Sequence, residues 1–442
     1  MIETILPGVA AIDLGSEQLF VGLAAQPVRC FGACTRDLRA LVAWLRQNDI
    51  QRVAMEATGV LWIIPHDYLE AEGFAVTLFH GAHARNLPGR KSDVQDCQWH
   101  AMLHGHGLLK ACFVPSEAIR QLRTYCRLRE DHLSMAAQHV QHMQRALESM
   151  NVRLHNVLSQ LHGVSGLRVL DAILAGERDP VALAALCEPQ VRKTKESDLI
   201  ASLEGTWQEH HLFALGQALE AYRFGLRLVA GCDQRIEQQL AALNAGRPPV
   251  ARTKGRKVKI TRHNRPQIAD LYGQLLTACG GRDAQLIPAI GPLSWLKLVG
   301  ETGTDLRHWQ NADHFTSWAG LSPNRHQSGQ RRRRVPRRKT KVAQIFREAA
   351  MSLAKTKDCV LGDFYRRIRG RRGAAVAIVA TARKLAVLYW QVLTHGIEYV
   401  EVGLAQAATL IAERNERYLR RKAAQLGFTL LPNPSLLKPG VH

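Results

Sequence analysis

A run of apolar residues at alternating steps of three and four constrains the fold of this chain more than any other feature. The run extends from Ile119 to Leu161, and only Arg129 interrupts it. This heptad spacing places one apolar seam along one helix, so it predicts a long coiled-coil helix of about six heptads. The seam consists of Ile119, Leu122, Cys126, Leu133, Ala136, Val140, Met143, Leu147, Met150, Leu154, Val157 and Leu161.

A second seam runs from Leu212 to Leu243 and is interrupted at Asp233. Joined through residues 162–211, the two helices are expected either to fold as an antiparallel hairpin or to pair between subunits. A hairpin would bring the opposite charges of Arg129 and Asp233 together. A seam of this length favours a dimer formed through the coiled coil, and the alternative is the core of an internal bundle.

The segment before the first seam has a different pattern, in which short apolar strands alternate with amphipathic helices. One strand runs into Asp13 and another ends at Glu56, with helical spacing over residues 37–48 and a further strand near 74–79. Alternation of this kind predicts an α/β domain with a mixed sheet.

The predicted domain organisation follows these changes of pattern. A mostly α-helical domain is expected to follow the coiled coil, after a linker rich in proline and basic residues. The predicted boundaries are 1–118 for the α/β domain, 119–246 for the coiled coil, 247–283 for the basic linker, 284–400 for the helical domain and 401–442 for a C-terminal helix and tail.

The positive charge of the chain is concentrated in two segments. The formal net charge is +21, yet residues 1–100 hold eight basic and eleven acidic residues. Residues 251–265 hold seven basic residues and no acidic one, and residues 323–384 hold nineteen basic and three acidic residues. Clustered Lys and Arg bind phosphates, so the pattern predicts a nucleic-acid partner. The candidate binding residues are Lys254, Arg256, Lys257, Lys259, Arg325, Arg331, Arg332, Arg333, Arg334, Arg337, Arg338 and Lys339.

The same sequence indicates a cytoplasmic protein without a membrane partner. The first residues lack the basic segment of a signal peptide, and no uninterrupted apolar run reaches the ~18–20 residues that span a bilayer. The nine scattered cysteines fit reduced thiols better than a disulfide framework.

Four acidic residues occupy positions at which carboxylates can converge. Asp13 and Glu56 lie at strand ends, while Asp93 and Asp96 stand three apart at the start of a predicted helix and therefore share one helical face. Converging carboxylates repel one another unless cations neutralise them, and hard oxygen ligands suit Mg²⁺ and phosphodiester chemistry. The alternative is structural, with Asp13 and Asp93 capping turns and Glu56 on the surface.

A serine immediately before a run of arginines is the candidate nucleophile. Ser328 precedes Gly329 and the run Arg331–Arg334. Arginines can hold the oxygens of an attacked phosphate, although a Ser-Gly pair taken alone is usually a turn. Ser322 is a neighbouring serine that remains an alternative on chemistry alone.

Five short motifs in a fixed order resemble the IS110-type insertion-sequence recombinases, the DEDD transposases related to Piv invertases. The motifs are AIDLGS, MEATGV, KSDVQDCQWHAML, LIPAIGP and AGLSPNRHQSG. The resemblance implies a RuvC-like (ribonuclease H type) α/β domain, long coiled-coil helices and a mostly α-helical transposase domain carrying a serine. It also implies that Asp13, Glu56, Asp93 and Asp96 bind Mg²⁺ and that Ser328 forms a covalent phosphoserine link to DNA.

The resemblance extends to partners. It implies double-stranded DNA as substrate, at both element ends and target, a tetramer with composite sites, and a structured guide RNA (bridge RNA), which some members use. The chain departs from the family pattern at Ala289, where a glycine is usual, at Cys97, where an alanine is common, and in the arginine-rich stretch after Ser328. The alternative functions are a hydrolytic RuvC-like nuclease and a non-catalytic scaffold that binds nucleic acid.

Overall fold

The computed structural model describes residues 6–23, 26–81, 93–251, 264–323, 326–328, 331–333, 340–356, 359–396, 409, 413 and 416–431. These residues divide into two compact units, Met1–Val114 and Pro115–His442. For Asp93 and for residues 326–328 and 331–333, the backbone alone is described.

The first unit contains the mixed sheet that the sequence predicts. The sheet order is β3-β2-β1-β4-β5, in which β1, β4 and β5 are parallel and β2 and β3 are antiparallel to their neighbours. The short strand β3 is not predicted from the sequence, because its four residues carry no apolar alternation. The strands are β1 Val9–Leu14, β2 Gln18–Leu23, β3 Arg29–Gly32, β4 Arg52–Glu56 and β5 Ala75–Phe79, and the helices are α1 Thr35–Gln47, α2 Ile63–Ala71 and α3 Asp93–Gly105.

The two faces of this sheet have different packing. One face carries large residues such as Ile12, Val21 and Met55, which form a core with Leu38 and Leu41 of α1. The other face carries small residues where α3 lies, among them Ala11 and Ala54 of the sheet and Ala101 of the helix. Small residues allow a close approach, so α3 lies directly against the strands.

The second unit is built on two long helices that pack along each other, α4 Glu117–Ser149 and α9 Glu209–Leu243. Residue 118 meets 239, residue 129 meets 233 and residue 136 meets 225, so the helices are antiparallel. Of the two predicted arrangements, the structure shows the hairpin within one chain. The predicted coiled-coil dimer remains a prediction.

The predicted contact between the two interruptions of the seams is confirmed. Arg129 Nε lies 2.5 Å from Asp233 Oδ1, and both side chains are buried. Arg129 also donates to the Asn264 carbonyl at 3.0 Å, and Asp233 accepts from the Gln267 amide at 3.0 Å. The ion pair therefore joins α4 and α9 to the segment that begins at residue 264.

The first seam extends beyond the helix that it predicts. Helix α4 ends at Ser149, and Asn151 has a φ of +58°, which turns the chain away from the helix axis. Leu154 and Leu161 lie after this turn, in a cluster of short helices that packs into the same hydrophobic core as Met143 and Leu147 of α4. The helices of this cluster are α5 Leu154–Val157, α6 Val164–Leu174, α7 Pro180–Ala185 and α8 Pro189–Leu203, the last kinked at Lys195.

The remaining helices complete the second unit. Part of the expected linker, from residue 264, is packed: Ile268, Leu271 and Leu275 are buried, since apolar residues here outnumber the basic ones. The elements are α10 Leu271–Ala278, a short 3-10 helix Ala284–Leu286, α11 Pro292–Thr302, α12 Ala312–Trp318, β6 His326–Ser328, β7 Arg331–Arg333, α13 Lys341–Leu353, α14 Val360–Arg372 and α15 Ala374–His395.

Helix α15 is the one helix among the described residues that is long and apolar enough to cross a membrane by length and composition. Its Leu385 and Tyr389 are buried, and Trp390 Nε1 donates to the carbonyls of Leu306 and Trp309, each at 3.2 Å. A core helix passes the same test of length and composition, and these contacts make α15 such a helix.

Two salt-bridge clusters attach α4 to the serine-bearing region. Arg127 binds Glu301 of α11 through both carboxylate oxygens, at 2.8 and 2.9 Å. Glu130 contacts Lys297 of α11 at 2.5 Å and Lys341 of α13 at 3.2 Å. Burial raises the pKa of Glu130, but the two lysines outweigh it and hold that pKa below its ordinary value.

Candidate active site

Asp13 and Glu56 are adjacent in the sheet of the first unit. Strands β1 and β4 pair in parallel, with Ile12 opposite Met55. Asp13 directly follows Ile12 on β1, and Glu56 directly follows Met55 on β4. Parallel strands expose their carboxyl ends at one edge of a sheet, which is where open α/β sheets place ligands.

Both acids belong to the face that α3 covers. Side chains alternate along a strand, and Ile12 and Met55 point into the core with α1. Ala11 and Ala54 point to the α3 face, so Asp13 and Glu56, each two residues further on, also point there. Both acids are half-buried.

Helix α3 is fixed on this face by Cys97, the residue after Asp96. Its thiol donates to the carbonyls of Ala11 and Phe20, each at 3.1 Å. On β2, Gly22 leaves the space, because a Cβ there would lie 3.0 Å from the Cys97 sulfur and 3.1 Å from its backbone. Burial is the main cause that raises the pKa of Cys97, to about 12, and the nearby charge of Asp13 adds to it. Cys97 therefore remains a protonated donor.

The position of α3 orders the acids that it carries. Asp96 is half-buried one residue from Cys97, and Asp93 is the first residue of the helix, one turn earlier. Three elements of one unit (β1, β4 and α3) thus carry the four predicted acids on one face of the sheet.

The Glu56 carboxylate is held by a glycine. A Cβ at the buried Gly81, just after β5, would overlap Oε1 of Glu56. The carboxylate therefore packs against the bare Cα of Gly81, and a larger residue there would displace it from this position. Sequence reasoning missed Gly81, since a glycine after a strand carries no signal of its own.

The donor set fits a divalent cation with a preference for oxygen. Half-buried carboxylates from β1, β4 and α3 supply hard oxygen ligands. Among the described residues, Asp13, Glu56 and Asp96 do not form a group whose carboxylate oxygens all lie within 4.8 Å of one another. A different group, His66, Asp67 and Glu70 of α2, has potential ligand atoms within 4.8 Å of one another. Because His66 Nδ1 lies 3.1 Å from Asp67 Oδ1 and 3.5 Å from Glu70 Oε2, hydrogen bonds within one helical turn explain that group.

The candidate nucleophile lies in the second unit, on a small antiparallel hairpin. Ser328, the last residue of β6, pairs with Arg331, the first residue of β7. The predicted binding residues Arg331, Arg332 and Arg333 form β7. The others, Lys254, Arg256, Lys257, Lys259, Arg325, Arg334, Arg337, Arg338 and Lys339, lie outside the described residues.

The alternative nucleophile, Ser322, has a hydroxyl partner. Its Oγ lies 3.3 Å from Oγ1 of Thr316 in α12.

One threonine joins the two ends of the segment that contains the hairpin. The Thr340 hydroxyl donates to the Ala319 carbonyl at 2.6 Å and accepts from the Ala343 amide at 3.0 Å. It therefore caps α13 and at the same time links α13 to the end of α12.

Two segments of the chain match family models. Residues 29–152 match the IS110-type DEDD transposase model, described as "Transposase", and residues 283–366 match "Transposase IS116/IS110/IS902 family". The two matches support an IS110-type transposase. The chain is accordingly an enzyme that acts as a DNA recombinase or transposase.

The matched segments contain most of the predicted site residues. Glu56, Asp93 and Asp96 lie in the first and Ser328 in the second, whereas Asp13 precedes the first. The DEDD match also indicates dependence on a divalent metal. No curated protein matches this chain.

Proposed function

We propose that this protein is the site-specific recombinase of an insertion sequence, which exchanges DNA strands with Mg²⁺ and a covalent phosphoserine intermediate. One observation supports the proposal: Asp13 and Glu56 lie on the adjacent parallel strands β1 and β4, and α3, whose sequence includes Asp93 and Asp96, packs on the same face of that sheet. As a transposase, the protein would act on DNA in the cytoplasm or nucleoid.

The proposed reaction conserves the phosphodiester bond energy. The Ser328 oxygen attacks phosphorus and gives up its proton, and the bond to a deoxyribose oxygen breaks as that oxygen takes a proton. A hydroxyl of the incoming strand then attacks the phosphoserine, which restores Ser328 and seals the new strand. Arg331, whose backbone pairs with that of Ser328 across the hairpin, would hold a non-bridging phosphate oxygen.

The four acids would hold Mg²⁺, which when bound supplies positive charge at the reacting phosphate. The role of the protein is to order the ligands. Gly81 leaves the space that the Glu56 carboxylate occupies, and Cys97 fixes the helix that carries Asp93 and Asp96.

The proposal includes the assembly that the family resemblance implies. The protein would act as a tetramer with composite sites, guided by a structured RNA, on the ends of its element and on a target. The proposed domains are the RuvC-like domain 1–118, the coiled coil 119–246, the linker 247–283, the transposase domain 284–400 and the tail 401–442.

The test is an assay for a covalent adduct. The purified protein with its co-purifying nucleic acid is given Mg²⁺ and element-end DNA, and SDS-resistant protein–DNA species are measured. We expect an adduct in the wild type and in Ser322→Ala, but none in Ser328→Ala or Asp13→Asn.

Other outcomes identify the rival functions. Cut DNA without an adduct, unchanged in Ser328→Ala, would show a hydrolytic nuclease. Tight binding without cutting, indifferent to Mg²⁺ and to all five residues, would show a non-catalytic scaffold. An adduct that persists in Ser328→Ala and disappears in Ser322→Ala would move the nucleophile to Ser322.

A further inference from the structure

Helix α14 carries more positive charge than any other described helix of its length. Its thirteen residues include five arginines and a single acid, Asp363. Asp363 forms an ion pair with Arg366, whose Nη2 donates to its Oδ1 at 2.6 Å. The arginines are Arg366, Arg367, Arg369, Arg371 and Arg372.

The arginines of the last turn have no acidic partner in the described part of the chain. No carboxylate there lies within ion-pair distance of Arg369, Arg371 or Arg372, and all three side chains are exposed. One or two cations at this end would stabilise the helix dipole. Here, however, 366 and 369, 369 and 372, and 367 and 371 stand three or four apart, where like charges repel. In the free protein this arrangement is unfavourable, so helix stability does not explain it.

The helix is rigidly mounted. Leu361 and Tyr365 are buried, and Arg366 Nη1 donates to the Thr356 carbonyl at 2.8 Å. On the same helix, the Phe364 ring centroid lies 5.6 Å from Arg367 Cζ and 4.9 Å from Nζ of Lys384 on α15. These contacts hold the helix that carries the arginines in place before any ligand binds, which lowers the entropy lost on binding.

We propose that the C-terminal end of α14, which carries Arg367, Arg369, Arg371 and Arg372, binds the phosphate backbone of double-stranded DNA together with the neighbouring Lys384. Phosphates remove the repulsion among the arginines, and each guanidinium can hold two phosphate oxygens. The inference rests on the proposed function for the choice of DNA as the partner.

The test compares two triple variants with the same loss of charge. Arg369→Gln/Arg371→Gln/Arg372→Gln removes the proposed contacts, and Arg36→Gln/Arg39→Gln/Arg168→Gln removes three exposed arginines elsewhere. Binding to a DNA duplex and to an RNA duplex of equal length is measured against salt concentration. Both variants carry Asp13→Asn, and EDTA is present, so that no strand is cut.

The α14 variant is expected to lose about two to three from the slope of log affinity against log salt for DNA, and on the order of a hundredfold in affinity near 0.15 M salt. The slope of the matched variant should differ from the parent's slope by no more than about one. The midpoint of thermal unfolding of the α14 variant should be equal to or above the parent's, since repulsion is removed.

Three results would overturn the inference. The first is an equal loss of DNA affinity in both triple variants, and the second is a change of salt slope for RNA but not for DNA. The third is a lower thermal unfolding midpoint of the α14 variant, large enough for unfolding to explain its loss of binding. Failure here is distinguishable from failure of the proposed function. If the wild type forms the serine adduct but the α14 variant keeps the parent's salt slope for DNA, only this inference is wrong. If the salt slope of the α14 variant falls but the wild type forms no adduct, only the strand-exchange mechanism is wrong.

Discussion

Ala289 has a backbone conformation that normally requires glycine. Its φ is +67°, in the turn that precedes α11. A side chain in the left-handed region costs roughly 1 kcal/mol. The sequence identified this position as a departure from the family pattern, in which glycine is usual. In the structure the turn is formed, with an alanine in that conformation.

Replacing Ala289 with glycine should therefore stabilise the protein. We expect Ala289→Gly to raise the free energy of unfolding by about 0.5–1 kcal/mol, after allowance for the greater freedom of glycine in the unfolded chain. Chemical denaturation measures this change. Ala312→Gly, in the helical conformation of α12, is the control and should lower stability by about the same amount. A loss of stability in Ala289→Gly would contradict the argument.

His104 of α3 should make the first unit sensitive to acid. Burial lowers its pKa below the ordinary 6.5, the charge of Arg52 lowers it further, and the buried Nε2 has no hydrogen-bond partner among the described residues. Because the folded-state pKa lies below the unfolded-state pKa, the unfolded chain binds the proton first. Stability is then lost as pH falls below about 6.5.

The expected result is a difference in pH dependence. Between pH 7.5 and 5.5, His104→Gln should lose less unfolding free energy than the wild type in urea denaturation. His314→Gln, an exposed histidine of α12, should behave as the wild type. Equal pH dependence in His104→Gln and the wild type would show that His104 is not responsible.

At the scale of elements, the sequence predicted where helices and strands form better than where they end. The heptad period identified α4, α9 and the Arg129–Asp233 contact, because a polar residue inside an apolar seam needs a partner. It did not show that α4 ends at Ser149, because the residues after the turn at Asn151 keep the same period and pack into the same core. Gly81 was equally invisible, since its role depends on a contact with Glu56 from a distant strand.

The buried ion pair between α4 and α9 gives an element-scale prediction. Removing one partner leaves a buried charge, so Arg129→Met or Asp233→Leu should each cost about 3–5 kcal/mol in unfolding free energy. The double variant should recover most of that loss, because two apolar side chains replace both charges. A double-mutant cycle by chemical denaturation measures the coupling. Additive losses would mean that each residue acts through Asn264 and Gln267 instead.

At the scale of the whole molecule, the two units have separate hydrophobic cores. Residues of the sheet core lie before Val114, and the clusters of the long helices lie after Pro115. The alternation of strands and helices predicted the first unit and its mixed sheet. The distribution of charge, acidic over residues 1–100 and basic beyond, follows the same division.

Calorimetry should therefore resolve effects on one unit from effects on the other. Gly22→Val inserts side-chain atoms where Cys97 packs on β2, so it should lower the unfolding temperature of the first unit only and abolish adduct formation. Cys97→Ala removes a hydrogen bond but keeps the space, so it should retain measurable activity. A shift of both transitions in Gly22→Val would show that the units unfold together.

The hydrogen bond from Thr340 to Ala319 also sets a length. It brings the two ends of the segment that carries Ser328 together beside the end of α12. Ser328 is nine residues from Ala319, and even a fully extended chain of that length reaches only about 30 Å. The acids of any protomer that share a phosphate with this serine must therefore come within that radius of α12. The tether thus limits which assemblies can be active, whatever DNA they hold.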